Sequence, residues 1–348
     1  LGIISLDAYF SSVKLLFSMK IIKRLLALLA ILIVVYLLGP KPEAGTYTRA
    51  LPVVTATGSA LEEEIRNEET SLPVKPDNEA RIIWYNDSIK EKTPYSIIYL
   101  PGFTASQEEG DPVHRNLAKA IGANLYLARL SEHGLESDSA LYNMTATSLW
   151  ESAKKAYAIG KQIGEKVIIL ATSNGGTLSL MLASEQYPEI AGLVLLSPNI
   201  KIFDPKAQLL NKPWGLQIAR LVMGSEYTGA KDTTAIYRQY WNNPYRLEAV
   251  VQVQQLLEDK MHKETFAKVN QPLLMLYYYK DEENQDKVVR VTAMKEMFEE
   301  ITTPQNKKQS IAVPTAGDHV MGSPIKSKDV QTVEAEAIRF TREVIMKN

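Results

Sequence analysis

Residues 167–183, Val-Ile-Ile-Leu-Ala-Thr-Ser-Asn-Gly-Gly-Thr-Leu-Ser-Leu-Met-Leu-Ala, constrain this chain more than any other stretch. The opening run of β-branched and aliphatic residues is the pattern of a strand buried on both faces. The closing run is small and apolar at helical spacing, stopping at Tyr187-Pro188. Ser173 falls at the junction, followed by Asn174, Gly175 and Gly176. So short a strand-to-helix turn strains the serine backbone and pushes the hydroxyl out above the sheet edge. Small neighbours let strand and helix approach, and the first amides of the helix face the place where an anion is stabilised. The pattern is Gly-x-Ser-x-Gly, with Ala171 for the first glycine.

A strand of this kind needs a large sheet around it, and 348 residues with 45% apolar content supply one. The absence of cysteine excludes disulfides, cysteine-bound zinc, iron–sulfur clusters and a cysteine nucleophile. Only His114, His133, His262 and His319 offer imidazole. No His-Glu-x-x-His spacing, Walker loop or G-x-G-x-x-G fingerprint occurs, so neither metal nor cofactor is expected. A net charge of −1 gives no general attraction to nucleic acid, and none is expected as a partner.

Along the chain, residues 1–18 precede Met19-Lys-Ile-Ile-Lys-Arg24 and read as a non-native extension. Residues 19–38 combine the basic Lys20, Lys23 and Arg24 with an uncharged apolar run from Leu25 to Leu38. This grammar suits a signal anchor with the following domain on the non-cytoplasmic (periplasmic or extracellular) side. A cleaved signal peptide, which would make the protein secreted, is the alternative, although Gly39-Pro-Lys-Pro-Glu43 supplies no Ala-x-Ala-like site. Residues 39–79 read as a linker and a short acidic helix opened by a capping box at Ser59-Ala-Leu-Glu62. From residue 80 onward, strands are expected at 80–85, 95–100, 124–129, 167–172, 190–196, 272–279 and 309–313, with helices between them. That alternation implies a mostly parallel central sheet with helices on both faces. Between about 203 and 269 it stops. The stretch is helical in pattern and carries Trp214, Met223, Tyr227, Tyr237, Tyr240, Trp241 and Tyr245. A helical insertion there reads as a cap over the carboxyl ends of the strands, with the aromatics forming mainly its own core.

A serine hydroxyl needs a base within hydrogen-bond reach, and the imidazole in turn needs a carboxylate to fix its tautomer. His319, in Thr315-Ala-Gly-Asp-His-Val320, follows the last expected strand and so lies at the sheet edge of Ser173. The carboxylate should follow the strand before it, where Asp281 and Asp286 both stand. Asp286 is preferred because Asp286-Lys-Val-Val289 reads as an acid loop turning into its helix, with 280–285 as an insertion.

The order Ser173, Asp286, His319 matches that of the α/β-hydrolases. From about residue 80 to the end, the chain resembles the esterase, monoacylglycerol-lipase-like and serine-aminopeptidase-like members of that superfamily. Ala171-Thr-Ser-Asn-Gly175 resembles the family elbow, which implies Ser173 as nucleophile and the Asn174 amide as one oxyanion donor. Leu100-Pro-Gly-Phe-Thr-Ala-Ser106 resembles the family His-Gly-Phe loop, with Pro101 for histidine, and implies the Phe103 amide as the second donor. Gly317-Asp-His319 resembles the base loop with an inserted Asp, and His133-Gly134 a loop whose histidine is structural. His114 and His262 read as surface or packing residues. The resemblance implies the α/β-hydrolase fold with a helical cap, and a serine hydrolase that cleaves a carboxylic ester through an acyl-enzyme. The expected partners are a small-molecule or lipid ester and, through the N-terminal helix, a membrane. A serine aminopeptidase or a thioesterase is the alternative within the class. A catalytically inactive, membrane-tethered binding protein is the alternative outside it.

Overall fold

The computed structural model describes residues 6–347, with side chains from Met19 onward. It opens with a long helix α1 (Leu6–Leu37), and a short helix α2 (Gly58–Thr70) follows. The expected extension at 1–18 begins outside the described residues. Among the described residues no helix is long and apolar enough to cross a membrane. This corrects the expected anchor at 19–38 and, with it, membrane tethering through that helix. Lys20, Lys23 and Arg24 lie within α1, and the uncharged part from Leu25 to Leu37 rises only about 20 Å against a hydrocarbon core of about 30 Å. The capping box is also absent: the N-cap is Thr57, two residues before Ser59, and no side chain caps the helix.

Residues 46–54, within the expected linker, lie as a strap across helix α4 (Ala146–Ile163). The Trp150 indole donates to the Thr48 carbonyl at 2.8 Å. The buried Lys154 ammonium donates to Thr48 Oγ1 at 3.0 Å and to the Ala50 carbonyl at 2.7 Å. Gln162 holds the carbonyl of Val54 at 2.7 Å. Upstream, Trp214 donates its indole N–H to the Val35 carbonyl and its amide to that of Pro40.

Seven strands form the central sheet: β1 (Arg81–Ile83), β2 (Thr93–Leu100), β3 (Asn124–Leu127), β4 (Gly164–Thr172), β5 (Ile190–Leu196), β8 (Leu273–Tyr277) and β9 (Lys308–Ala312). Their order is β1-β3-β2-β4-β5-β8-β9. Every neighbouring pair is parallel except β1 with β3, which is antiparallel. Alternation along the strands explains the two cores. Ile97, Tyr99, Ile168 and Leu170 face one side, with α3 (Val113–Ile121) and α11 (Val330–Phe340) packed over them. Ile98, Leu100, Val167, Ile169 and Ala171 face the other, under α4, α5 (Asn174–Ser184) and α10 (Val291–Glu300). Both faces are thus dry, which is why these strands read as unbroken apolar runs.

The cap is less purely helical than its pattern. It holds α6 (Gly215–Met223), α7 (Ala235–Tyr240), α8 (Leu247–Lys260) and the short α9 (Lys263–Phe266), with a ribbon of β6 (Tyr227–Thr228) and β7 (Tyr245–Arg246) between them. Two-residue strands are too short for alternation to show in sequence. The cap is stitched to the loop after β2: Asn242 donates to the Thr104 carbonyl at 2.8 Å and Ser106 to that of Tyr240 at 2.9 Å.

Candidate active site

Ser173 stands between β4 and α5 with φ +51° and ψ −115°, a conformation an L-residue reaches only under constraint. The surrounding structure supplies that constraint. Its amide donates to the Leu196 carbonyl at 2.9 Å, and its carbonyl accepts from Gly176 and Asn199, both at 2.9 Å. A Cβ on Gly175 would lie 2.1 Å from the Leu100 carbonyl oxygen, so only glycine lets α5 start this close to the loop after β2. Ser173 itself is 5% exposed.

His319 follows β9 and is buried, with Nδ1 2.6 Å from Asp286 Oδ2. Asp286 Oδ1 accepts the amides of Val288 and Val289 at 2.8 and 3.0 Å. Burial by itself raises the Asp286 pKa, but His319 and those two amides hold it below the ordinary carboxylate range. Burial lowers that of His319, but the charge and hydrogen bond of Asp286, joined by the charges of Glu109 and Asp318, together outweigh it and leave it raised. Asp281 is exposed and bent onto its own loop, accepting from the amides of Glu283 and Asn284. Asp286, not Asp281, therefore reaches the imidazole.

Ser173 and His319 open into one cavity of about 390 Å³. Its apolar side is lined by Ile202, Val250, Val253 and Val288, and its aromatic side by Phe103, Tyr237, Trp241 and Tyr245. Three aromatics of the cap stretch thus wall the cavity instead of serving only the cap interior. Tyr237 and Trp241 stack at 4.8 Å. The Phe103 amide donates to no protein acceptor among the described residues. That of Asn174 belongs to the first turn of α5, where helical partners are lacking. Both adjoin Ser173, one through the loop and one through the chain. His133 is buried, its Nδ1 donating to the Ser131 carbonyl at 2.9 Å and its ring edge-on to Phe103 at 6.3 Å. Burial pushes it down to about 4, which keeps it neutral as a support for the loop. His114 packs in the core against Tyr99, and His262 is exposed ahead of α9.

One group at the cavity has no sequence signal. Glu109, in the turn Gln107–Gly110, is 2% exposed and lines the same space as Ser173 and His319. Gln-Glu-Glu-Gly reads as a solvated turn, and only the fold reveals its depth. Among the described residues, no group of acidic or histidine side chains could hold a metal ion.

No protein-family model and no curated protein sequence matches the chain. Solved structures do. One, described as of LipS and LipT, two metagenome-derived lipolytic enzymes, superposes with a TM-score of 0.60 at 14% identity, over 79% of this chain and 100% of that one. Est1E from Butyrivibrio proteoclasticus with bound ferulic acid gives 0.52 at 18% identity, over 77% and 95%. Paleococcus ferrophilus monoacylglycerol lipase gives 0.52 at 14%, over 75% and 98%. With its parallel sheet and flanking helices, the chain has the α/β-hydrolase fold.

Proposed function

We propose that the protein is a serine hydrolase cleaving carboxylic esters, esterase- or lipase-like. One observation carries this reading: a constrained Ser173 and an Asp286-paired His319 share one cavity. In this reading Ser173 Oγ attacks the ester carbonyl carbon while His319 Nε2 takes its proton. Asp286 holds the imidazole tautomer and offsets the charge formed. The amides of Phe103 and Asn174 receive the oxyanion. Collapse breaks the bond to the alcohol oxygen, which leaves with the proton from His319. Water, deprotonated by the same imidazole, then frees the acid and restores the serine. The mixed aliphatic and aromatic walls suit an acyl or aryl group of moderate size, and the likeness to lipolytic folds supports an ester as the bond cut. An aminopeptidase would want an acidic site for a free amine. Glu109 and Asp318 line the cavity, but Lys326 does too, and the wall under the cap is apolar.

The test is a screen of the full chain against p-nitrophenyl acyl esters of graded length and aminoacyl anilides, beside Ser173→Ala. Ester turnover and fluorophosphonate labelling that both vanish in the variant are expected. Undiminished turnover in Ser173→Ala would remove the proposal.

A further inference from the structure

Glu109 is a buried carboxylate in no direct ion pair: no lysine, arginine or histidine among the described residues comes within ion-pair distance, and only the more distant His319 charge acts on it. Its bonds lead instead to the loop beside the nucleophile. Glu109 Oε2 accepts the Gly102 amide at 2.5 Å and faces the Tyr99 hydroxyl at 3.4 Å. That hydroxyl lies 3.1 Å from Oγ1 of Thr172, the residue before Ser173. A Cβ placed on Gly102 would sit 2.7 and 2.9 Å from the two Glu109 oxygens and 3.0 Å from Ser173 Cβ. Gly102 is therefore wedged between carboxylate and nucleophile, and the next amide in the chain is that of Phe103.

We propose that Glu109 is a positioning residue of the ester-cleaving site: its ionised carboxylate draws in the Gly102 amide and so aims the Phe103 N–H at the oxyanion. The inference rests on the reading of Ser173 as nucleophile. Among the described residues the Gly102 amide has no other acceptor. An amide bond to a charged acceptor is about twice as strong as a neutral one, so protonation loosens the loop. The groups facing Glu109 are Tyr99 of β2, Tyr237 and Trp241 of the cap, and His319, with Glu108 beside it in the chain. Asp318 and Lys326 share the cavity. Burial pushes the carboxyl up to about 7, against the pull of the Gly102 amide, His319, Tyr99 and Trp241. The loop is thus held tightly on the alkaline side of that value and weakly on the acid side.

The experiment compares the full chain, Ser173→Ala, Glu109→Gln and Tyr99→Phe on p-nitrophenyl butyrate from about pH 5 to about pH 9. Full activity in Ser173→Ala would fail the underlying reading and this inference with it, whatever Glu109 does. With Ser173 essential, Glu109→Gln should lower kcat roughly 10²-fold, the scale of an ångström-sized misplacement, with KM nearly unchanged. In the parent, full activity requires both His319 and Glu109 to lose a proton, so log kcat/KM should rise on the acid limb with a local slope steeper than one, approaching two where both groups titrate. In Glu109→Gln the slope should fall to one. A purely structural role would lower the melting temperature and leave the slope alone, and an unchanged kcat or slope overturns the proposal. Should Glu109→Gln not fold, Tyr99→Phe decides. Loss of a donor raises the Glu109 pKa, so the acid limb must move to higher pH, and an unmoved limb overturns it.

Discussion

The two oxygens of Asp286 face different partners: Oδ2 lies 2.6 Å from His319 Nδ1, and Oδ1 accepts two backbone amides, Val288 at 2.8 Å and Val289 at 3.0 Å. The backbone fixes the plane of the carboxylate, and the carboxylate fixes the plane of the imidazole. Since both residues are buried, neither orientation is left to solvent.

Asp286→Asn should therefore cost on the order of 10⁴ in kcat by releasing the wrong tautomer, and Asp281→Asn should cost little. The pair also predicts a pH signature. Asp286 has a depressed folded pKa, so its stabilisation is present above the unfolded value and lost as pH falls through the folded one. His319 has a raised folded pKa, so its stabilisation is full below the unfolded value and lost as pH rises through the folded one. Both act together between about pH 4 and about pH 6.5. The melting-temperature gap between parent and Asp286→Asn should be widest there and narrow at higher pH, as scanning calorimetry would show. A gap that grows steadily with pH would contradict the pairing.

Gly175→Ala should destabilise the fold by about 2–3 kcal/mol, because its Cβ meets the Leu100 backbone carbonyl and not a side chain that could yield. Turnover should fall too, since that carbonyl precedes the Phe103 loop. Gly224 is the control. Its φ is +62° with nothing near, so alanine there costs only the left-handed penalty of about 1 kcal/mol. Urea unfolding of both variants checks the ranking, and equal losses would contradict it.

Val250 lies on the cap side of the cavity, and Val250→Phe should shorten the acyl preference. We expect kcat/KM for long-chain p-nitrophenyl esters to fall at least tenfold while the acetate ester is unaffected, the range that a misfit of a few methylenes gives. An unaltered chain-length profile would mean that the acyl group lies elsewhere.

Legibility in the sequence followed locality. Ser173 stood out because a buried strand, a polar turn and a small-residue helix are neighbours in the chain, and the parallel sheet followed from its dry strands. Asp286 could be preferred but not separated from Asp281, since the choice depends on how residues 280–285 fold back, with Lys280 and Asp281 both donating to the Asn284 carbonyl. Glu109 was illegible because its depth comes from the turn passing beneath Gly102. The N-terminal helix was misread for a different reason. Counted from Ile21 the apolar run approaches spanning length, but Lys23 and Arg24 fall inside it and α1 ends at Leu37, so its uncharged part is too short.

The strap over α4 alters how far the hydrolase body can stray from α1. With Trp214 holding the Pro40 carbonyl and hydrogen bonds to α4 resuming when Thr46 donates to Thr147, only the residues between them are free to pay out as rope. At 3.3–3.6 Å per residue that is a leash of less than about 25 Å, and Trp214 has already taken up the slack on the cap side. A pull on α1 would therefore reach the cap first, through the two bonds of Trp214 to Val35 and Pro40.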